Sequence, residues 1–140
     1  MVVEIRRLGV DDLELVFAAQ HLFDGPTQEG AARRFLDSSD HHLLLALDGQ
    51  LPVGFVSGVE LTHPDKGTEM FLYELGVDEP FRRQGIGRRL VNALADLAAA
   101  RGCYGMWVGV DDPDNTAALA TYRGAGAEES SDVILFNWTF

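Results

Sequence analysis

The hydrophobic positions change period several times along the chain. Val2 to Arg7 alternates as a short strand does; behind Asp11 and Asp12, either of which can cap a helix, Leu13, Val16, Phe17 and Ala19 fit one helix. Asp24-Gly25-Pro26-Thr27 breaks that pattern, and Ala31, Ala32, Phe35 and Leu36 then gather on one side of a second short helix. His42 to Leu47 and Pro52 to Leu61 read as strands joined at Asp48-Gly49, a strong hairpin signal. Thr62 to Thr68 is expected to be a loop, and Glu69 to Val77 a strongly apolar strand. From Ile86 the spacing becomes helical through Leu90, Val91, Leu94, Leu97 and Ala98, and Gly102 suits the residue just beyond that helix. A strand over Tyr104 to Val110, a helix over Asn115 to Gly124 and a closing strand over Val133 to Phe140 complete the order β α α β β β α β α β. Helices set among strands that are partly joined by hairpins imply an α/β chain with a mixed sheet.

With 140 residues, 46% of them hydrophobic, the chain is expected to form one domain, 1–140, with a core of its own. Its one cysteine, Cys103, excludes an intramolecular disulfide and makes no metal-ligand spacing with His21, His41, His42 or His63, so no metal is expected. No apolar run approaches a membrane span, and Glu4, Arg6 and Arg7 stand where a signal peptide needs apolar residues. A cytoplasmic location without membrane association is the expectation. The net charge of −11 argues against nucleic acid as a partner, because phosphate neutralisation needs a surplus of Lys and Arg. That charge is uneven. Arg82, Arg83, Arg88, Arg89 and Arg101 face only Asp96 over residues 82–101; beyond Cys103, six acids face only Arg123. A basic segment beside an acidic one suits an anionic cofactor and a cationic substrate.

The basic segment contains the most informative residues. In Glu74-Leu-Gly-Val-Asp-Glu-Pro-Phe-Arg82-Arg-Gln-Gly85-Ile-Gly87-Arg88 an apolar strand runs into a Gly-rich turn that opens a helix. Such a turn lets the backbone approach a ligand, and the first helical turn presents unpaired N–H groups at the positive end of the dipole. A phosphate or pyrophosphate is the natural occupant. The dinucleotide fingerprint fails because Leu90 stands where its third glycine belongs, and no Gly-Lys-Ser/Thr tripeptide of a P-loop exists.

Arg82-x-x-Gly85-x-Gly87, after an apolar strand and before an amphipathic helix, resembles the acetyl-coenzyme A motif of the GNAT superfamily of N-acetyltransferases. A second block, Asn115-Thr-Ala-Ala118-Leu-Ala-Thr121-Tyr122-Arg-Gly-Ala-Gly126, is similar to that family's Asn-x-x-Ala-x-x-Leu-Tyr-x-x-x-Gly helix. It departs in having Thr121 where leucine is usual and Ala127 where an aromatic commonly follows the glycine, both of them packing positions. The resemblance implies a mixed, mostly antiparallel sheet of about six to seven strands flanked by about four helices, splayed between strands 4 and 5. It implies acetyl-coenzyme A as cofactor, with coenzyme A as product. The pyrophosphate would lie on the backbone of Arg82, Arg83, Gln84, Gly85, Ile86, Gly87 and Arg88. Backbone groups of Leu75 and Val77 would pair with the pantetheine arm and donate to the thioester carbonyl, with Gly76 between them as a local bulge that splays the strand. Asn115 would bind the same arm, and the Tyr122 hydroxyl would protonate the departing thiolate.

An amine must be neutral when it attacks, so a base is needed, and Glu74 is the candidate. By strand alternation it faces away from Tyr73 and Leu75, and its apolar neighbours should raise its pKa. Arg7-Leu8-Gly9, Leu22-Phe23, Tyr73-Glu74-Leu75 and the Arg82-Arg-Gln-Gly-Ile run further resemble the aminoglycoside 3-N-acetyltransferase branch, although the α1–α2 region is shorter here. That implies a cationic amine as substrate, a carboxylate at Glu74 and an antibiotic-resistance role. The net charge of −11, with Asp111, Asp112 and Asp114 after the fifth main strand, suits such a ligand, so Glu74, Asp111 and Asp112 are expected to hold it. A polyamine, a protein or peptide amine, or a non-catalytic acyl-coenzyme A binding module are the alternatives. The apolar end, Leu135-Phe-Asn-Trp-Thr-Phe140, is expected to pair with a second copy across a two-fold axis as a homodimer.

Overall fold

The computed structural model describes residues 2–140. Four strands form an antiparallel meander: β1 (Val3–Arg7), β2 (His41–Asp48), β3 (Leu51–His63) and β4 (Gly67–Val77). β5 (Met106–Trp107) joins β4 in parallel, so the sheet runs in chain order. The helices are α1 (Leu13–Ala18), α2 (Glu29–Asp37), α3 (Ile86–Ala100) and α4 (Thr116–Gly124).

Helices cover both faces of the sheet, which is why β2 is buried without interruption from His42 to Leu47. Leu43, Leu45 and Leu47 pack with Val16, Ala19 and Ala32 of the α1–α2 layer, whereas Leu44 and Ala46 pack with Ile86, Leu90 and Leu94 of α3. Two glycines of β3 set the seat of α3. An added Cβ would come within 3.2 Å of the Leu90 side chain at Gly54, and within 3.0 Å of the Leu94 side chain at Gly58.

Opposite the α3 N-terminus, a buried network ties three strands to the other end of that helix. The Arg7 guanidinium donates to His42 Nδ1 at 3.1 Å, so the Nε2–H of a neutral His42 donates to Glu60 at 2.6 Å. Burial holds the His42 pKa down despite Glu60. Burial alone would raise Glu60, but hydrogen bonds from His42 and Arg101 more than offset it and leave its pKa lowered.

Among the described residues the sheet has five strands, not six or seven. The strand expected at Tyr104 to Val110 contracts to two residues, and the one expected at Val133 to Phe140 does not form. Alternation records that one face of a segment suits burial, but it does not supply a partner strand. Here β5 pairs with β4 only at Met70–Met106 and Phe71–Trp107, and the terminal Ile134, Phe136 and Trp138 remain exposed. Conversely, the loop expected at Thr62 to Thr68 is mostly ladder: His63 pairs with Gly67, and the Thr62 and Thr68 hydroxyls bond at 3.0 Å. No helix among the described residues is long and apolar enough to cross a membrane.

Candidate active site

The backbone between β4 and α3 alternates in hand. Arg82 is extended, Arg83 is left-handed at φ 63°, and Gly85, the N-cap of α3, is left-handed at φ 79°. Left-handed backbone costs a non-glycine residue on the order of 1–2 kcal/mol. Arg83 is the one such residue among those described, and strain of this kind marks functional sites. Arg82 anchors the turn by donating from Nε to the Val77 carbonyl at 2.9 Å.

No side chain caps α3, so the orphan amides of its first turn stay available. Its charge is also the reverse of its neighbours'. α1 and α2 carry Glu14 and Glu29 in their first turns, where acids favour the dipole, but α3 has no acid there and carries Arg88 and Arg89. An anion at this end would satisfy the amides and the arginines together. Arg89 is partly engaged, donating to the Val3 carbonyl at 2.8 Å, whereas the Arg88 guanidinium lies where a Cβ of Gly124 would be.

This turn opens on a cavity of about 900 Å³. Its walls include Leu75, Gly76 and Val77 of β4, Arg82, Arg83, Gly85, Ile86, Gly87 and Arg88 of the turn and α3, and Asn115 and Tyr122 of α4. Of the expected cofactor residues only Gln84 does not line it. Gly87 faces α4, where an added Cβ would meet Thr121 at 3.4 Å, an ordinary packing distance. Asn115 is the N-cap of α4: its Oδ1 accepts the Ala118 amide at 3.1 Å, leaving its NH₂ for a ligand. Gly126, left-handed at φ 90°, ends that helix, with the Ala127 amide donating to the Tyr122 carbonyl at 3.1 Å. Two residues of the second motif are thus explained by helix capping.

Along one wall the sheet is open. The Asp78 amide donates to Val53 of β3 at 2.8 Å and the Val77 carbonyl points to Arg82 instead. By the alternation of an antiparallel ladder, Gly76 and Glu74 turn their backbone groups to β3, and Leu75 and Val77 turn theirs to the side vacated beyond Phe71, where β5 no longer pairs. The N–H and C=O of Leu75 and the N–H of Val77 thus face the cavity, the Val77 carbonyl being taken by Arg82. Tyr122, half-buried on its opposite wall, has its pKa raised by burial and keeps its proton.

The bulge expected at Gly76 lies elsewhere. Gly76 pairs regularly with Phe55, and its missing side chain makes room for that ring, which an added Cβ would meet at 2.8 Å. The irregularity is at Tyr73: Ser57 pairs with Glu74 but Gly58 with Leu72, so β4 carries one extra residue. That residue resets the strand's phase. Without it Glu74 would share the α3 face with Leu72; with it Glu74 joins Phe55, Ser57 and Leu43 on the α1–α2 face. Tyr73 and Glu74 therefore line the same cavity rather than opposite faces, whereas Leu75 does lie across the sheet.

That second cavity, of about 490 Å³, lies under the α1–α2 connection, with Phe23, Phe35 and Phe55 on its apolar side and Asp24, Thr27, Ser57 and Glu74 on its polar side. Burial raises the Glu74 pKa, and the negative charge of Asp24 raises it further. Asp111 and Asp112, expected beside Glu74, line neither cavity; they lie exposed before α4, where Asp112 Oδ1 accepts the Asp114 amide at 2.9 Å. Asp24, Thr27 and Ser57 were not singled out in the sequence. Asp24 belonged to a turn signal, and Ser57 gave no sign beyond being polar in an apolar strand.

A Gly-rich anion turn, an open strand edge and a phenol around one cavity, with a desolvated carboxylate across the sheet, define an acyl-coenzyme A binding fold of the acetyltransferase class. The chain belongs to the acetyltransferase (GNAT) family, whose profile matches residues 9–127 and whose members take their acetyl group from acetyl-coenzyme A. It is 36% identical over 103 residues to N-alpha-acetyltransferase RimI of Mycobacterium tuberculosis, a match covering 74% of this chain and 62% of that protein. The chain thus spans about three fifths of that relative's length. In fold it is similar to an aminoglycoside acetyltransferase, meta-AAC0020, from an uncultured soil metagenomic sample and in complex with sisomicin. That match has a TM-score of 0.90 and 23% identity over 99% of this chain and 96% of the other. Aminoglycoside N-acetyltransferase AAC(6')-Iy, in complex with coenzyme A, superposes with a TM-score of 0.81 and 21% identity over 98% of this chain and 95% of the other. The GNAT assignment made from the two motifs therefore stands, whereas these neighbours do not single out the 3-N branch.

Proposed function

We propose that the chain transfers an acetyl group from acetyl-coenzyme A to a primary amine of a cationic acceptor, by direct attack in a ternary complex. The observation that carries this reading is that the two cavities meet on β4, where Glu74 faces one and the neighbouring Leu75 faces the other. Acetyl-coenzyme A, when bound, supplies the activated acyl group. The uncapped first turn of α3, with Arg83 and Arg88, holds its diphosphate, and the outward backbone groups of Leu75 and Val77 hold its arm. An N–H of that edge donates to the carbonyl oxygen as negative charge develops there, an interaction worth about 2.7–4 kcal/mol in comparable sites. Glu74 takes a proton from the bound ammonium, and the neutral amine so formed attacks the thioester carbon. As the C–S bond breaks the Tyr122 hydroxyl protonates the departing sulfur, while the surplus proton on the new amide nitrogen returns through solvent to Tyr122.

An aminoglycoside is the acceptor this reading favours, supported by the sisomicin-bound fold neighbour and by the net charge of −11. The sequence resemblance points to the 3-N position and the AAC(6') neighbour to another, so product analysis decides between them. A protein amino terminus is the second reading, favoured by the RimI relative. Thiol release from acetyl-coenzyme A in the presence of aminoglycosides, polyamines and peptides tests all three, and the expected result is turnover with a cationic amine. Thioester binding without release on any of them would leave a non-catalytic binding module. A homodimer is part of the proposal, carried by the exposed Ile134, Phe136, Trp138 and Phe140, and sedimentation should show an association that Trp138→Asp abolishes.

A further inference from the structure

We propose that Asp24 is a second acceptor-binding residue and that the acceptor is a diamine, with one nitrogen at Glu74 and another ammonium at Asp24. This deepens the acetyl-transfer reading and rests on it. Four observations meet in the α1–α2 cavity. Asp24 and Glu74 both line it, and they are close enough for the charge of one to raise the pKa of the other. Neither carboxylate has an ion pair or a side-chain hydrogen bond with any described residue, although acids elsewhere in the chain, such as Asp12, Glu60 and Glu129, are paired with arginine. Ser57, only 7% exposed and directly opposite Glu74 in register on the cavity face, has a hydroxyl with no partner among the described residues. The Thr27 hydroxyl, on the loop that carries Asp24, is buried and unpartnered as well.

A buried hydroxyl left unpaired costs on the order of 1–3 kcal/mol, and natural structures rarely leave two in one place unless something else satisfies them. Asp24, exposed at the mouth of the cavity, and half-buried Glu74 place two like charges on its polar side, and each disfavours the other. A single ammonium relieves only half of that charge. A second positive group on the same molecule relieves the rest, and the hydroxyls supply hydrogen bonds to whatever polar atoms lie between the two nitrogens. The acceptor class that fits is a compact dication with its amines a few bonds apart, as in a diamino sugar or a short diaminoalkane, rather than a peptide with a lone amino terminus.

The test uses the intact chain saturated with coenzyme A, titrated by calorimetry with diaminoalkanes of three to five carbons and with monoamines of the same length. The expected result is that at least one diamine binds about tenfold more tightly than its monoamine, the scale of one charge-assisted hydrogen bond. Asp24→Asn should remove that preference, Asp24→Glu should restore part of it, and monoamine affinity should stay within about twofold. Equal binding of diamine and monoamine, or a preference that survives Asp24→Asn, overturns the proposal. Because the readout is binding, it is separate from the transfer reading, which fails instead if the diamines bind but release no thiol from acetyl-coenzyme A.

Discussion

The cavities on the two sides of β4 are built from different materials. On the α3–α4 side the groups turned to the ligand are mostly backbone: first-turn amides, left-handed residues and an open strand edge. On the α1–α2 side they are side chains brought from the α1–α2 connection, β3 and β4. Backbone sites constrain residue type at fixed spacing, because only particular residues tolerate the required φ, and so they leave a motif. Side-chain sites depend on which face each strand presents. The extra residue at Tyr73 shows how little it takes to change that: one insertion moves Glu74 across the sheet.

The largest effect is expected where that bulge delivers a carboxylate. Glu74→Gln should lower kcat/KM by about 10²–10⁴, the usual contribution of a general base, while the affinity for acetyl-coenzyme A changes less than about twofold. A loss of rate and cofactor affinity in parallel would mean that the two cavities are not separable. Tyr122→Phe probes the other wall. Its hydroxyl has no hydrogen-bond partner among the described residues, so the fold should be unaffected, kcat should drop by about 10²-fold and calorimetry should find the cofactor affinity unchanged. Proportional losses of both would make Tyr122 a packing residue. Gly85→Val tests the backbone site alone. An added Cβ meets nothing within 4 Å, so the only penalty is conformational, a branched residue at φ 79°. Acetyl-coenzyme A affinity should fall by about tenfold, equivalent to 1.4 kcal/mol, with acceptor binding intact.

The same contrast explains what the sequence made legible. Gly85, Asn115 and Gly126 were recognisable because a left-handed turn and two helix caps each favour their residue type. The apolar strands of the meander were recognisable from their period. Asp24, Thr27 and Ser57 were not, since each becomes part of a site only through tertiary packing. Asp111 and Asp112 were chosen for local acidity, which does not fix the direction a side chain takes, and their loop leads into α4. Over residues 133–140, alternation gave the period of a strand, but a period does not by itself form a ladder and none forms there.

The smallest effect separates the two causes acting on Glu74. Its pKa lies above the usual 4.5, first because burial disfavours the charged form and second because Asp24 adds a like charge. A base works only when ionised, so kcat/KM should rise with pH through an inflection above that value. Asp24→Asn removes the second cause and leaves the first, so the inflection should move down without reaching the ordinary carboxylate range. Stability follows with the opposite sense. The folded chain binds this proton more tightly than the unfolded chain does, so its advantage is full below the unfolded pKa and is lost as pH rises through the folded one. Above both values ionised Glu74 destabilises the native state, and Glu74→Gln, with no charge to desolvate, should melt slightly higher than the parent near pH 8. Partial exposure keeps the gain below the roughly 2–4 °C that 1 kcal/mol produces in a domain of this size. At about pH 3, well below both values, the carboxyl is protonated in both states and the two melting curves should coincide. A gain of equal size at both pH values would assign it to packing around residue 74 rather than to its charge.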